Sequence, residues 1–328
     1  MAAENRPVRW GVLSTALIND KLLAGARLSP DVEVLAVASR DGDRARAYAG
    51  AHDIPRSYGS YEALLADPDV EAVYVPLPNS LHHPWTLEAL RAGKHVLCEK
   101  PYSRRPADVR QGFAVARDRG LVLSEAFMYR YSPQIRRAAG LVAEGAIGRL
   151  RLVVASFSWP TPLDGDIRTR PDLDGGSLMD VGCYCLSAAR LFAGEPLAVS
   201  AQSTSGDHGV DAHLVATLRF ADGVLAHVDS AFHVPDRSHL EVVGTDGVLR
   251  VSDPWHGLAP GITLTGRDGT TTDVPVEQAN SYRLELEQMA AAVRGEPNVL
   301  LGEADALGQA RAIEAVYRSA DAGRTVTL

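Results

Sequence analysis

The sequence predicts an α/β protein in which a doubly wound parallel sheet precedes an α+β domain with a large, mainly antiparallel sheet. Over the first 125 residues, short apolar runs alternate with amphipathic segments, the pattern of parallel strands joined by crossover helices. After residue 150 the pattern changes to longer strand-like runs joined by short turns. A chain of 328 residues also favours two domains, at roughly 150 residues for each.

The predicted elements of the first domain follow one another without long gaps. Apolar runs predict strands at residues 8–13, 33–39, 72–75, 95–98 and 122–124. Helical periodicity predicts helices near residues 18–27, 43–52, 61–66, 84–92 and 106–118. We therefore expect a first domain over residues 1–125 and a second over residues 126–328.

The predicted elements of the second domain are mostly strands. They are expected at residues 150–158, 198–204, 213–220, 224–232, 240–243 and 248–251. Ala221-Asp222-Gly223 and Thr245-Asp246-Gly247 have the composition of hairpin turns, which favours antiparallel pairing. Two helices, near residues 281–294 and 303–320, complete the pattern.

Composition and charge exclude several classes of function. The net charge is −8 and the isoelectric point near 5.7, so the basic surface expected of a nucleic-acid-binding protein is missing. The first seven residues lack the apolar run of a signal peptide, and no stretch is apolar enough to span a bilayer. We expect a cytoplasmic protein with no membrane partner. Its three cysteines fit reduced, buried thiols, and no ligand set for a metal is evident.

The predicted strand at residues 95–98 ends in Glu99-Lys100-Pro101. A lysine at this point stands at the carboxyl edge of a parallel sheet, where open α/β proteins bind ligands. Pro101 would fix the turn, and a cis peptide bond is one way of doing so. A surface turn with an exposed lysine is the alternative.

The first strand runs into a tight turn and a helix, the arrangement that binds dinucleotides. The glycine fingerprint would fall on Ser14, Ala16 and Asn19, where all three glycines are replaced. Small residues at 14 and 16 still allow backbone amides to approach a pyrophosphate at the helix N-terminus. An ordinary strand-to-helix turn is the alternative. The predicted cofactor contacts here are Ser14, Thr15, Ala16, Leu17 and Ile18.

The end of the second strand indicates which dinucleotide is preferred. An aspartate in this place would accept a hydrogen bond from the ribose 2′-hydroxyl of NAD. Ser39 and Arg40 instead offer a hydroxyl and a guanidinium, groups that suit the 2′-phosphate of NADP. We therefore predict NADP as the cofactor, with NAD less favoured. The alternative is that Arg40 is a solvated residue at a helix start.

Three segments together carry a resemblance to a known family. Pro78-Asn79 and His82 precede the Glu99-Lys100-Pro101 turn by some twenty residues, and a glycine-rich segment beginning at Gly175 leads to Asp180 and Tyr184. With these motifs the chain resembles the glucose-fructose oxidoreductase and inositol dehydrogenase family, also called Gfo/Idh/MocA. The resemblance implies a Rossmann domain, a second α+β domain and oxidoreductase activity.

Position 184 indicates a branch of that family. Inositol-dehydrogenase-like members have histidine there, whereas this chain has tyrosine. Residues 126–130 and Pro133-Gln134 also resemble the tyrosine branch. That branch includes dimeric dihydrodiol dehydrogenases, NADP-dependent xylose dehydrogenases and ketosugar-nucleotide reductases.

The three predicted catalytic residues suit hydride transfer at a carbinol carbon. A proton must move to or from the oxygen when the hydride moves, and a positioned acid or base must carry it. The pKa of a tyrosine is normally about 10, and an ammonium such as that of Lys100 would lower the pKa of Tyr184. Asp180 lies four residues before Tyr184, so on a helix the two share a face. An ordinary pair of polar helix residues is the alternative.

The resemblance implies further site residues. Besides those of the first turn and Ser39 and Arg40 after the second strand, predicted cofactor contacts are Pro76, Leu77, Asn79, His82, Glu99, Lys100 and Arg168. For Arg168 the resemblance implies a position near either cofactor or substrate. Predicted substrate contacts are Tyr129, Arg130 and Trp159. Arg130 has an alternative role in hydrogen bonds that join the domains, and Trp159 could instead fill the core.

These inferences combine into one predicted function. The chain is expected to be an NADP-dependent oxidoreductase of the aldose 1-dehydrogenase type, acting on a secondary alcohol or hemiacetal of a sugar or sugar-like diol. Reduction of a ketosugar nucleotide at C3 and non-catalytic NADP binding are the alternatives. No basic cluster for a diphosphate is evident, which favours free sugars. A sheet face left uncovered by helices predicts a homodimer or homotetramer through the C-terminal sheet.

Overall fold

The computed structural model describes residues 6–160, 165–206 and 208–328, which form two compact units. The first unit contains residues 6–128 and Asn280–Leu307. The second contains the described residues between Tyr129 and Ala279 together with Gly308–Leu328. Each unit is built around a sheet of its own.

The first unit contains a six-stranded sheet in which every neighbouring pair is parallel. Its strands are β1 (Val8–Leu13), β2 (Val32–Ala38), β3 (Arg56–Tyr58), β4 (Ala72–Val75), β5 (His95–Glu99) and β6 (Leu123–Ala126). Their order, β3-β2-β1-β4-β5-β6, is that of the dinucleotide-binding doubly wound fold. The predicted parallel sheet is confirmed, and its carboxyl edge collects the loops that follow β1, β2, β4 and β5.

Five helices connect these strands. They are α1 (Asn19–Ala26), α2 (Gly42–His52), α3 (Tyr61–Leu65), α4 (Asn79–Arg91) and α5 (Pro106–Asp118). Helix α5 has the predicted limits, because Pro106 starts it in a position that proline favours. Helix α4 was predicted near residues 84–92, yet it begins at Asn79 and contains Pro84 within it. Strand β3 was not predicted, because its three half-buried residues form no apolar run.

Among the described residues of the second unit, nine strands form one sheet. They are β7 (Leu150–Trp159), β8 (Ala198–Ser205), β9 (Asp211–Arg219), β10 (Leu225–Phe232), β11 (Arg237–Gly244), β12 (Gly247–Ser252), β13 (Gly261–Gly266), β14 (Thr271–Val274) and β15 (Val326–Thr327). Their order is β14-β13-β12-β11-β7-β10-β9-β8-β15, and only β7 and β10 run parallel. The predicted mainly antiparallel sheet is confirmed. The last three strands were not predicted, because they are short and largely polar.

Two helices of the second unit lie on either side of β7 in the sequence. Helix α6 (Pro133–Ala143) was not predicted, although proline occupies its first turn. Helix α7 (Cys183–Ala193) packs on β7 and β10 and continues a π-helical turn over Leu178–Gly182. A Cβ on Gly182 would lie 2.7 Å from Ser230 Oγ, so glycine allows the helical segment to approach the sheet closely.

The two C-terminal helices are α8 (Ser281–Val293) and α9 (Glu303–Ala322). Helix α8 belongs to the first unit, where it packs against α1. Gly25 permits this contact, since a Cβ there would lie 2.7 Å from the backbone nitrogen of Arg283. An ion pair of 3.0 Å between Arg294 and Asp31 adds to it.

Candidate active site

The turn between β1 and α1 has the conformation of a dinucleotide turn without its glycines. Ser14 has a φ of 152°, a region that costs a non-glycine residue about 1–3 kcal/mol. Hydrogen bonds support it: Ser14 Oγ donates to the carbonyl of Pro76 at 3.2 Å, and Asn19 Nδ2 donates to the carbonyl of Ser14 at 2.8 Å. Serine therefore takes the place of the first glycine.

The same turn offers donors for an anion. Within the part of the chain that the structure describes, the backbone N–H groups of Thr15, Leu17 and Ile18 meet no acceptor, whereas that of Ala16 donates to Ser14 Oγ. Unpaired N–H groups before a helix form a site for a phosphate group. The turn thus fits the pyrophosphate of a dinucleotide, and the side chain of Leu17 is 90% exposed.

The end of β2 places two guanidinium groups beside one tyrosine. Arg40 and Arg44 are both exposed, and both oppose the rise that burial causes in the pKa of Tyr61. Asp41 is occupied as the cap of α2, where its Oδ1 accepts the N–H groups of Asp43 at 2.9 Å and Arg44 at 3.1 Å. These contacts lower the pKa of Asp41. No described carboxylate therefore replaces Ser39 and Arg40 as the ribose-recognising group at this strand end, and the site fits a 2′-phosphate.

Arg44 was missed by sequence reasoning. It lies one helical turn after Arg40, a spacing that could have indicated a second cation for the same phosphate. Ser39 is buried, and its Oγ accepts the N–H of Asp41 at 3.2 Å.

His82 connects the loop after β4 to the turn after β5. Its ring is 1% exposed, with Nδ1 2.8 Å from the carbonyl oxygen of Pro101 and Nε2 2.7 Å from that of Leu77. Pro76, next to Leu77, accepts the hydrogen bond from Ser14 described above. The loops after β1, β4 and β5 are therefore bonded to one another through side chains that sequence motifs identified. Asn79, also predicted at the cofactor, is the half-buried first residue of α4.

Glu99, Lys100 and Pro101 lie at the carboxyl end of β5, as predicted, and the Lys100–Pro101 peptide bond is cis. Glu99 accepts hydrogen bonds from Tyr74 Oη and, at 3.1 Å, from the backbone N–H of Lys100. Burial and the charge of Glu99 raise the pKa of Glu285 on α8 well above its usual range. The lysine turn is therefore held from inside the first unit, and the side chain of Lys100 is half-buried.

Asp180 lies in the π-helical turn before α7 and is held from two sides. Its Oδ2 is 3.1 Å from Trp159 Nε1, which donates, and 3.1 Å from Arg168 Nε. Burial opposes the charge of Arg168, yet Asp180 and Asp166 outweigh it and raise the pKa of Arg168. The guanidinium also lies 5.1 Å from the centre of the Trp159 ring, a cation–π distance. The structure thus brings together three predicted site residues from separate segments.

The glycine-rich segment explains how Arg168 reaches this position. The N–H of Gly176 donates to the carbonyl of Arg168 at 2.8 Å, and that of Gly175 donates to the carbonyl of Arg170 at 3.0 Å. A Cβ on Gly175 would overlap the carbonyl oxygen of Arg168. Glycine is therefore required for the close approach of two backbone segments.

Tyr184 is surrounded by aromatic rings. The centres of Tyr129, Phe157 and Trp255 lie 5.5, 5.6 and 6.0 Å from that of Tyr184. These tilted and edge-to-face contacts pack the ring of Tyr184, which is 9% exposed, on several sides. Phe157 and Trp255 were missed by sequence reasoning, and no motif marks either of them.

Two predicted substrate residues bind α7. Tyr129 Oη donates to Ser187 Oγ at 2.8 Å, and Arg130 Nη1 donates to the same atom at 3.3 Å. Tyr129 is 1% exposed and packs against the ring of Tyr184 from inside the unit. Substrate contacts of Tyr129, Arg130 and Trp159 stay predictions.

The described residues lack a metal centre and a membrane-spanning helix. Within residues 6–160, 165–206 and 208–328, no group of three His, Cys, Asp or Glu side chains could hold a metal ion. No helix in those ranges has the length and apolar character needed to cross a membrane. Cys98, Cys183 and Cys185 are buried free thiols, and burial raises the pKa of Cys98 and Cys185 well above the usual range.

Both halves of the chain match models of known protein families. Residues 8–127 match the "Oxidoreductase family, NAD-binding Rossmann fold", and residues 135–250 match the "GFO/IDH/MocA C-terminal domain". The protein named D-xylose 1-dehydrogenase (NADP(+)) 2 from Haloferax volcanii is 42% identical over 325 residues, covering 97% of this chain and 99% of the relative.

Two further proteins resemble the chain. Bovine trans-1,2-dihydrobenzene-1,2-diol dehydrogenase is 37% identical and matches over 75% of each chain. The crystal structure of KijD10, a 3-ketoreductase from Actinomadura kijaniata in complex with NADP and TDP-benzene, aligns with a TM-score of 0.90 at 35% identity, covering 95% of this chain and 98% of that one. The chain therefore belongs to the Gfo/Idh/MocA family of oxidoreductases.

Proposed function

We propose that this oxidoreductase is an NADP-dependent dehydrogenase of the aldose 1-dehydrogenase type, acting on a secondary alcohol or hemiacetal carbon of a sugar or sugar-like diol. One observation carries the proposal: the 42% identity to an NADP-dependent D-xylose dehydrogenase extends over nearly the full length of both chains. We assign cofactor binding to residues 1–125 and substrate binding and association to residues 126–328.

Tyr184 carries the proton in the proposed mechanism. When bound, NADP supplies the nicotinamide that exchanges a hydride with the substrate carbon. Tyr184 takes the hydroxyl proton during oxidation, and its aromatic neighbours pack the phenol ring on several sides. The ammonium of Lys100 stabilises the phenolate and donates to the substrate oxygen. Asp180, fixed by Arg168 and Trp159, orients the substrate.

Substrate class is tested by turnover. We expect D-xylose and related aldoses to reduce NADP+ in the presence of the wild-type enzyme, with polyols and simple diols reacting more slowly. Failure of all aldoses, polyols and diols with both NADP+ and NAD+ would contradict the proposal.

The catalytic assignment is tested by Tyr184→Phe and Lys100→Met. Loss of a positioned acid–base group costs about 100-fold or more in kcat. Binding of NADP+ should persist in Tyr184→Phe. Tyr58→Phe is the matched control, because Tyr58 Oη donates to Asp67, a residue to which the proposed mechanism gives no role. If both active-site variants kept full turnover, the mechanism would be wrong.

NADP preference rests on the two guanidinium groups after β2. We expect Arg40→Ala to weaken NADP+ binding about tenfold or more, because it removes charge-assisted hydrogen bonds, and to leave NAD+ binding unchanged. Arg46→Ala is the control, since Arg46 pairs with the exposed Asp43 on the same helix. Equal affinity of the wild type for the two cofactors would overturn the prediction.

Reduction of a ketosugar nucleotide at C3 is the second candidate function. The TM-score of 0.90 with a 3-ketoreductase that binds TDP-benzene favours it. Oxidation of NADPH by a dTDP-linked ketosugar, with no turnover of free aldoses, would select this candidate over the first.

We also propose that the protein is a homodimer or homotetramer formed through the second sheet. Val215 and Leu225 on this sheet are 45% and 50% exposed, which supports an interface there. Light scattering at micromolar concentration tests it, and a monomer would contradict it. A cytoplasmic location is proposed from the three reduced thiols, and cell fractionation tests that assignment.

A further inference from the structure

Asp211, the first residue of β9, is a buried carboxylate that the proposed reaction does not use. It is 7% exposed. Its Oδ2 accepts hydrogen bonds from the backbone N–H of Leu178 at 2.7 Å and from Ser177 Oγ at 2.9 Å. Its Oδ1 accepts from Tyr317 Oη at 2.9 Å. All three donors are neutral: the Leu178 N–H requires an acceptor, and the two hydroxyl groups donate here to the carboxylate oxygens.

These bonds place the carboxylate at the start of the helical segment that carries Asp180 and Tyr184. The first N–H groups of a helix have no acceptor within it, and the helix dipole favours a negative charge there. Ser177 precedes the π-helical turn and supplies no cap to it. The cap comes instead from a strand residue 33 positions further along the chain.

The carboxylate also fits closely around the glycine before the segment. Gly176 has a φ of 121°, and a Cβ there would overlap Asp211 Oδ1. The carbonyl of Gly176 accepts the N–H of Asp180 at 3.0 Å. Ser177 Oγ, besides bonding Asp211, lies 3.0 Å from Ser230 Oγ on β10. Contacts to two strands therefore determine where this helical segment begins.

We propose that Asp211, together with Tyr317, is a positioning residue of the active site: its carboxylate sets the start of the helical segment and thereby the orientation of Asp180 and Tyr184. This inference rests on the proposed function, which gives those two residues their roles. Asp211 acts through the helix and not on the reacting atoms. Asparagine offers one carbonyl oxygen in place of two carboxylate oxygens, so Asp211→Asn removes one acceptor and the negative charge at the start of the segment.

Tyr317→Phe is the central test, and the chain offers a matched control. Tyr58 Oη donates to Asp67, a second buried aspartate, at 2.7 Å, so Tyr58→Phe removes the same kind of bond far from α7 in the sequence. Both variants should lose similar stability towards urea. Only Tyr317→Phe should lower kcat, by about tenfold, with the Kd for NADP+ unchanged, because small misplacement of catalytic groups costs up to about 100-fold.

A spectroscopic signal separates positioning from activity. In protein labelled with ζ-¹³C tyrosine, the Tyr184 resonance is the one that disappears in Tyr184→Phe. It should shift in Tyr317→Phe and in Asp211→Asn, and stay in place in Tyr58→Phe. An unmoved Tyr184 signal in Tyr317→Phe, or an equal fall in kcat in Tyr317→Phe and Tyr58→Phe, would overturn the positioning role.

Failure of the proposed function looks different. Full turnover by Tyr184→Phe would remove the catalytic role of that residue, while a shift of its resonance in Tyr317→Phe would still show that Asp211 positions the helix. If Asp211→Asn does not fold, Tyr317→Phe alone decides the outcome.

Discussion

Two buried aspartates, one in each unit, show two ways in which this chain holds a carboxylate. Asp67 is 6% exposed and Asp211 is 7% exposed. Each accepts a hydrogen bond from a tyrosine, Tyr58 at 2.7 Å and Tyr317 at 2.9 Å, and each also accepts from a backbone N–H. The two residues have similar exposed fractions and share two kinds of neutral donor, but Asp67 lies near the surface beside the 39% exposed Arg56, whereas Asp211 has Ser177 Oγ as a third neutral donor.

The two sites also differ in charge, because Asp67 pairs with the guanidinium of Arg56. Burial raises the pKa of Asp67, but hydrogen bonds from Arg56 and Tyr58 outweigh it and lower the pKa to about 2. Among the residues that the structure describes, no cation donates to Asp211, and burial raises its pKa in spite of its neutral donors. The charge of Asp67 stabilises the fold at neutral pH, whereas the charge of Asp211 reduces stability and is explained by what it positions.

Among these predictions, removal of the Arg56 guanidinium should reduce the stability of the fold most. Arg56→Met leaves Asp67 buried without its partner and also breaks the 2.7 Å pair with Asp69. Arg56 is 39% exposed in its side chain, so solvent screens the pair in part, but we still expect the free energy of unfolding to fall further than in a variant that loses only a surface ion pair. Urea unfolding at pH 7 measures this.

Arg46→Met is the control for that measurement. Arg46 pairs with Asp43 on the surface of α2, and such pairs are worth about 1 kcal/mol or less. If Arg56→Met were no less stable than Arg46→Met, the cation would not be what distinguishes Asp67 from Asp211.

The comparison also explains which features sequence reasoning recovers. Strands β1, β4 and β5 and helix α5 were predicted well, because apolar runs and Pro106 are local signals. The carboxyl edge of a parallel sheet then places Lys100 without further information. The first unit is predictable to the extent that backbone geometry places its residues.

The site residues of the second unit are positioned by contacts between side chains that are distant in the sequence. The pairing of Asp180 with Arg168 and Trp159, the rings around Tyr184 and the cap from Asp211 each join segments separated by loops and strands. No spacing within one segment records such contacts. For Asp180 and Tyr184, the expected shared face of a regular α-helix did not foresee the π-helical turn over Leu178–Gly182.

The pH dependence of stability should have opposite signs at the two aspartates. The pKa of Asp67 is lowered on folding, so its contribution is present above the unfolded value near 4 and is lost as pH falls towards 2. The pKa of Asp211 is raised on folding, so its protonated form is favoured and stability falls as pH rises through that value.

The variants Asp67→Asn and Asp211→Asn, which carry no charge at these positions, test the signs of the pH dependence. As pH falls from 7 to 3, the stability advantage of the wild type over Asp67→Asn should shrink, while its stability relative to Asp211→Asn should rise. Urea midpoints at four or more pH values are sufficient. Slopes of the same sign for both variants would show that the Arg56 cation does not control the difference.

The smallest expected effect is that of salt on stability, and it depends on whether the buried carboxylate has a cationic partner. Arg56 is 39% exposed in its side chain, so its attraction to Asp67 is partly screened by mobile ions. Raising the salt concentration to about 1 M, where the Debye length is about 3 Å, should reduce the difference between wild type and Asp67→Asn by less than about 1 kcal/mol. The difference between wild type and Asp211→Asn should not change, because neutral dipoles at a buried site offer little for ions to screen. Equal salt sensitivity at both sites would mean that a charged group stabilises Asp211 in addition to its neutral donors Ser177, Leu178 and Tyr317. The carboxylate would then hold its helix by charge pairing as well as by its hydrogen bonds.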